Sequence, residues 1–225
     1  MTTSRLKTAV LLSAGLDSAV LTAVEATANE VHPIYISTGL AWEAQELAAL
    51  DRLLATAPFA GVAPLARLTF TVTDLYPATH WALRGQPPAF DTPDEDVYLT
   101  GRNVILLSKA AIYCAQQRIG RIAIGPLAGN PFPDATPEFF ATMARALSLG
   151  LAHDIEIATP FAGKEKSEVI RIGVELGVPL EITLSCMNPK QGRHCGECSK
   201  CRERRDAFRE AGVEDPTEYA VAPVR

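Results

Sequence analysis

Two hydrophobic rhythms alternate along the chain. Short apolar runs without polar alternation occupy residues 7–13 (KTAVLLS), 31–37 (VHPIYIS), 67–72 (RLTFTV), 121–125 (RIAIG) and 154–160 (DIEIATP). Runs of this kind mark strands buried on both faces. Between them, apolar residues recur at helical spacing over 17–28, 42–56, 101–117, 136–149 and 164–176, and a charged helix closes the pattern at 201–211. Thr136-Pro137-Glu138 supplies a cap, a first-turn proline and a first-turn acid. Residues 76–100 hold several prolines and acids and no period, which predicts a functional lid or a disordered loop. Strands alternating with helices predict an α/β fold: a doubly wound, mostly parallel sheet covered on both faces. In such sheets ligands sit beyond the carboxyl ends of the strands.

Composition narrows this picture. The chain has 225 residues, 48% hydrophobic and 21% charged, with a net charge of −5. That balance excludes whole-chain disorder and argues against bulk electrostatic capture of nucleic acid or an anionic membrane. No run is long enough for a membrane-spanning helix. The apolar start flows into a glycine turn rather than a cleavage site, so a cytoplasmic protein without disulfides is expected. The one shift in composition falls near residue 180. It divides an α/β domain over 1–180 from a small appendage over 181–225.

Two segments carry candidate chemistry. Ser13-Ala14-Gly15-Leu16-Asp17-Ser18 joins the first strand to the first helix. Small residues there let backbone N–H groups approach an anion, the helix N-terminus adds positive potential, and Ser13 and Ser18 add hydroxyl donors. No lysine follows the glycine, so this is not the loop of kinases and GTPases. The alanine suits such a turn provided its φ is not positive. The second segment holds Cys186, Cys195, Cys198 and Cys201, spaced C-x8-C-x2-C-x2-C. Four thiolates so spaced can close a structural tetrahedral Zn²⁺ site, with Gly196 allowing the tight turn. An iron–sulfur cluster is the rival reading, and His194 is a spare ligand. Cys114, alone on an apolar helix, reads as core packing. The basic run 193–205 is interspersed with Glu197 and Glu203 and reads as a solvated helix face. The tail 214–225 carries no signal.

The loop resembles the S-G-G-x-D-S signature of the PP-loop ATP pyrophosphatases (adenine nucleotide alpha hydrolase-like proteins), with Ala14 at the first glycine. Loop and cysteines together resemble the 7-cyano-7-deazaguanine synthase family of queuosine and deazapurine biosynthesis. Gly101-Arg102-Asn103 is similar to that family's P-G-R-N, with Thr100 in place of the proline. Pro133-Asp134 followed by Pro137-Glu138-Phe139 is similar to its Y-P-D-x-R-P-E-F, with Thr136 in place of the arginine. Thr159-Pro160, Lys166 and Glu168 resemble its T-P-L…K-x-E, and Ser185-Cys186 and 194–198 resemble its knuckle. Two stretches depart from the pattern. Residues 37–42 stand where the family has D-Y-G-Q-[RK]-H, and Gly125-Pro126-Leu127 stands for G-V-N.

The resemblance implies an ATP-dependent ligase acting on a deazapurine carboxylic acid and ammonia. Attack of the carboxylate on the α-phosphate gives an acyl-adenylate, ammonia gives the amide, and a second activation gives the nitrile. It implies Ser13, Ala14, Gly15, Leu16, Asp17 and Ser18 at ATP, with Asp17 helping to hold Mg²⁺. Arg102 and Lys166 would contact phosphate or carboxylate, and Asp134 would accept from a guanine-like edge. The family is often dimeric, and the apolar helices allow a homodimer. Three other readings stand beside this one: a diverged relative adenylating another carboxylate to give an amide or conjugate, a tRNA-thiolating enzyme, and a zinc-knuckle nucleic-acid-binding module.

Overall fold

The computed structural model describes residues 5–221. Five strands form one fully parallel sheet: β1 (Lys7–Leu11), β2 (Glu30–Ser37), β3 (Ala66–Thr69), β4 (Arg121–Ala123) and β5 (Glu156–Ala158). Their order is β3-β2-β1-β4-β5. Leu11 stands beside Ile34 and Thr8 beside Arg121. The helices are α1 (Leu16–Ala28), α2 (Glu43–Leu54), α3 (Trp81–Arg84), α4 (Arg102–Gln117), α5 (Pro137–Leu151), α6 (Lys166–Glu175) and α7 (Ser199–Ala211).

Alternate strand residues feed opposite faces, as a pleated strand requires. Val10 joins Val20, Ile170 and Phe208 in a core with α1, α6 and α7. Ala9, Leu11 and Ile34 face the other way, onto Leu107, Ala111 and Phe140 of α4 and α5. Cys114 is fully buried in that second layer, and burial pushes its thiol up to about 12. Thr136 caps α5 by accepting from the Phe139 N–H at 3.1 Å. No helix among the described residues is long and apolar enough to cross a membrane.

The chain winds outward from β1 to β3, then returns through α4 to place β4 on the other side of β1. That reversal between β1 and β4 is the switch point where open α/β sheets bind ligands. Segment 76–100 is more ordered than its sequence predicts. It contains α3, whose first turn the His80 side chain caps by accepting from Ala82 N–H at 3.2 Å, and a 3₁₀ turn at Asp94–Val97. Arg202 of α7 donates to the carbonyls of Phe90 and Thr92 at 2.8 and 3.1 Å and ties the segment down.

Candidate active site

β1 ends at Leu11, two residues earlier than its apolar run predicts, and the turn occupies 12–15. Gly15 is the N-cap of α1 and supplies no side-chain cap. The first N–H groups of a 13-residue helix are therefore left for an anion. Ser18 closes the turn, donating from Oγ to Gly15 O at 3.0 Å and accepting from Ser13 N–H at 3.3 Å. Leu16 is fully buried beneath it. The condition placed on Ala14 is not met, since its φ is +61°. An L-residue pays roughly 1–2 kcal/mol for that conformation. The fully buried Ala14 methyl and the Leu184 N–H, which donates to Ala14 O at 2.9 Å, hold it there.

Beside the turn lies a chain of paired charges. Lys166, the first residue of α6, donates from Nζ to Asp17 Oδ2 at 3.1 Å and to Glu203 Oε1 at 2.5 Å. Lys200 donates to the other Glu203 oxygen at 2.5 Å. Burial works against the Glu203 charge, but the two ammoniums outweigh it and hold the carboxyl down to about 2. Burial likewise opposes the Lys166 charge, and Asp17 and Glu203 raise its pKa above the ordinary value. Glu203 thus belongs to the site rather than to a solvated helix face. Arg204 is also not solvated. It is fully buried and donates to Leu180 O at 2.7 Å, Thr183 Oγ1 at 2.9 Å and Thr217 Oγ1 at 2.6 Å.

Two adjoining cavities open at the switch point. The smaller, about 290 Å³, sits over the ends of β1, β2 and β4 between apolar walls such as Leu12, Ile36 and Leu106, and Asp134 lines it. The larger, about 580 Å³, runs past Lys166, Glu203, Trp81 and Met187. Asp17, Glu46 and Arg102 line both. Asp17 Oδ1 and Arg102 Nε are buried without a hydrogen-bond partner among the described residues. Asp134 accepts the Asn103 N–H at 2.9 Å on Oδ2, and the Asn103 side chain donates to its carbonyl at 2.9 Å. One oxygen of Asp134 is therefore spent on the first turn of α4, and burial raises its pKa.

The divergent stretch 37–42 is held by Glu43, whose carboxylate accepts from Ser37 Oγ at 2.6 Å, Thr38 N–H at 2.6 Å and Gly39 N–H at 3.0 Å. One turn along α2, Glu46 accepts from the Tyr35 hydroxyl at 3.0 Å. Burial pushes its carboxyl up to about 7, against the pull of Arg102 and hydrogen bonds from Tyr35 and Trp42. Trp42 and Trp81 stack with centroids 5.9 Å apart and planes 11° from parallel.

The four cysteines meet as their spacing predicts. All four Sγ atoms lie within 4.8 Å of one another and are buried. Neighbouring pairs stand 3.5, 3.8 and 4.0 Å apart. Sulfurs each about 2.3 Å from one zinc ion stand about 3.8 Å apart, so the donor set fits a tetrahedral metal ion. Backbone N–H groups of Asn188 and Cys195 donate to Cys186 Sγ at 3.3 and 3.2 Å, which favours thiolate. His194 is not among the ligands. It is buried, accepts the Ser185 N–H at Nε2 at 3.1 Å, and burial lowers its pKa to about 3. The tail packs here too. His194 N–H donates to Glu218 O at 3.1 Å, and Ala220 N–H to His194 O at 2.7 Å. Gly196 has φ +86°, and a Cβ on it would meet Val221 O at 2.1 Å.

The sequence missed Glu46, Glu203 and Arg204 as site or buried residues. Glu46 had a signal, since it shares the apolar stripe of α2 with Ala49, Leu50 and Leu53. A carboxylate on a buried stripe calls for a partner.

A parallel sheet with a serine- and glycine-containing turn at its switch point, an aspartate–lysine pair beside it and a four-cysteine cluster defines a class: doubly wound α/β proteins whose first turn is built like that of the PP-loop proteins. Comparison with known proteins narrows the class. The family model "Queuosine biosynthesis protein QueC" matches residues 7–212. A 7-cyano-7-deazaguanine synthase of Anaeromyxobacter dehalogenans is 34% identical over 94% of this chain and 94% of its own length. Those of Methanopyrus kandleri and Methanobrevibacter smithii are 35% and 31% identical, over 94% and 95% of this chain and 98% and 97% of theirs. The chain belongs to the QueC family.

Proposed function

We propose that the chain converts 7-carboxy-7-deazaguanine and ammonia into 7-cyano-7-deazaguanine at the expense of ATP. The observation that carries this is the Asp17–Lys166 pair beside the uncapped N-terminus of α1, at the switch point of a QueC-family sheet.

A carboxylate is a poor electrophile because its leaving group would be oxide. Its oxygen attacks the α-phosphorus of ATP, the bond to the bridging oxygen breaks, and pyrophosphate leaves. Ammonia then adds to the acyl carbon, AMP departs and a proton is lost, leaving the amide. The amide oxygen attacks the α-phosphorus of a second ATP, pyrophosphate leaves, and loss of AMP and protons leaves the C≡N bond. In this scheme the chain's task is positioning and charge neutralisation. The α1 N–H groups, Ser13 and Ser18 hold phosphate oxygens. Lys166 keeps one ammonium hydrogen beyond the two it gives to Asp17 and Glu203, and turns it to the phosphates. Asp17 Oδ1, buried and unpartnered among the described residues, suits Mg²⁺, which would neutralise the departing pyrophosphate. Arg102 faces the acyl substrate.

The cysteine cluster, as a closed Zn²⁺ site, joins residues 181–225 to the ATP-binding unit and brings α7, with Glu203, against Lys166. All four thiolates are then engaged, which disfavours a sulfur-carrying role. The test is the nucleotide product. With Mg²⁺, ATP, ammonium and the acid, AMP and pyrophosphate are expected, and neither without the acid. AMP formed with another carboxylate but not with this acid favours the diverged-ligase reading. ADP and phosphate overturn both.

A further inference from the structure

We propose that Glu46 and Arg102 together read the lactam edge of the substrate heterocycle, Glu46 accepting from the ring N–H and exocyclic amine and Arg102 donating to the ring carbonyl. This rests on the ligase reading above and names the specificity residues of that site.

The edge of a deazaguanine presents two adjacent donors and, next to them, one acceptor. Its complement is a carboxylate beside a cationic donor, and the cavity walls offer few carboxylates able to serve. Glu43 is taken up by the 37–39 backbone and hydroxyls, Asp17 by Lys166 on Oδ2 and, in the scheme above, by Mg²⁺ on Oδ1, Glu203 by Lys166 and Lys200, and Asp134 in part by Asn103. Glu46 lines both cavities and is fixed from behind by Tyr35. A carboxylate has about four lone-pair positions, so bonds from Tyr35 and Trp42 leave acceptor capacity. Arg102 lines the same two cavities with Nε unpartnered among the described residues, and its charge acts on Glu46. Glu46 is buried, and the Arg102 Nε is buried and unpartnered among the described residues, so both keep unused hydrogen-bonding capacity away from water, the condition under which a missing ligand group is most costly. The stacked Trp42–Trp81 pair lines the larger of the two cavities and gives a planar heterocycle an aromatic face there. The 7-carboxylate, on the five-membered ring beside that carbonyl, lies on the Arg102 side of the substrate, and Arg102 lines the same cavities as Ser13, Gly15 and Asp17 of the phosphate loop.

The test is equilibrium binding to the metal-loaded protein with Mg²⁺ and a non-hydrolysable ATP analogue. The ligands are 7-carboxy-7-deazaguanine and its analogue lacking the exocyclic amine. The wild-type chain is expected to prefer the amine-bearing acid by about a hundredfold or more. Glu46→Ala brings the ratio to within about threefold, with affinity for the ATP analogue unchanged. Glu46→Gln, an isostere that keeps the packing, lowers the ratio in the same direction while keeping wild-type metal content. A ratio unchanged in both variants overturns the proposal and leaves the ligase reading intact. Weakened ATP-analogue binding in both overturns it too, since the pair would then read adenine. Failure of the wild-type chain to bind the acid overturns the ligase reading, and this proposal with it.

Discussion

Replacing Glu46 with glutamine removes a charge that the fold holds at a cost, and the cost has a definite pH dependence. Burial raises this carboxyl from 4.5 to about 7. The groups that face it are Tyr35 from β2, Glu43 and Trp42 from its own helix and its N-cap, and Arg102 from α4. A raised carboxyl binds its proton more tightly in the folded than in the unfolded chain. The penalty is absent below about pH 4.5, grows between 4.5 and 7 and is complete above 7. A shift of that size corresponds to about 3 kcal/mol. Glu46→Gln carries no such penalty, so its stability relative to wild type rises by about 3 kcal/mol between pH 4 and pH 8. At about 2–4 °C per kcal/mol for a chain of this size, its melting temperature gains some 6–12 °C on wild type over that range. Paired thermal melts of metal-loaded proteins at several pH values measure this, because all other titrations cancel in the difference. A gap that stays flat, or narrows as pH rises, refutes the placement of Glu46 as a buried carboxylate.

Ala14→Gly should leave stability within about 0.5 kcal/mol of wild type in chemical denaturation, the relief of the left-handed conformation offsetting both the entropy lost to glycine and the buried methyl removed. Destabilisation beyond about 1.5 kcal/mol would mean that the turn does not take that conformation. Gly196→Ala should detach the tail from the cysteine turn, seen as faster proteolysis near residue 221 and a lower melting temperature; unchanged proteolysis would contradict the packing described. Lys166→Met should cut AMP formation at least about a hundredfold with metal content intact, as expected for loss of a charge that stabilises the departing phosphate. Wild-type rates in that variant would remove Lys166 from the site.

What the sequence discloses follows from how strongly each element depends on local pattern. β1, β2, β4 and the helix after the first turn are legible because buried parallel strands are continuous apolar runs, while the edge strands β3 and β5 are only half-buried, against the expectation of burial on both faces. The strand ends are not legible, since β1 stops at Leu11 while its apolar run continues into the turn. The cysteine site is legible because its ligand spacing is short. Glu203 is not, because an acid among lysines and arginines on a helix looks alike whether it meets water or Lys166, 37 residues away. Arg204 is hidden for the same reason, its partners being Leu180, Thr183 and Thr217 in segments without periodicity. The positive φ of Ala14 is invisible because alanine ordinarily signals the opposite. The tail gave no sign because it docks through backbone hydrogen bonds, which any sequence can make, and through Thr217 and Tyr219, whose partners Arg204 and His194 lie in other segments.

The most direct measurement of the central claim follows the nitrogen. The protein, with its metal, is incubated with 7-carboxy-7-deazaguanine, Mg²⁺, ATP and ¹⁵N-ammonium, and the heterocycle is identified by mass spectrometry. The account predicts a nitrile carrying one ¹⁵N, with two AMP formed per nitrile. Unchanged acid beside intact ATP, in protein shown to be folded and metal-loaded, contradicts it.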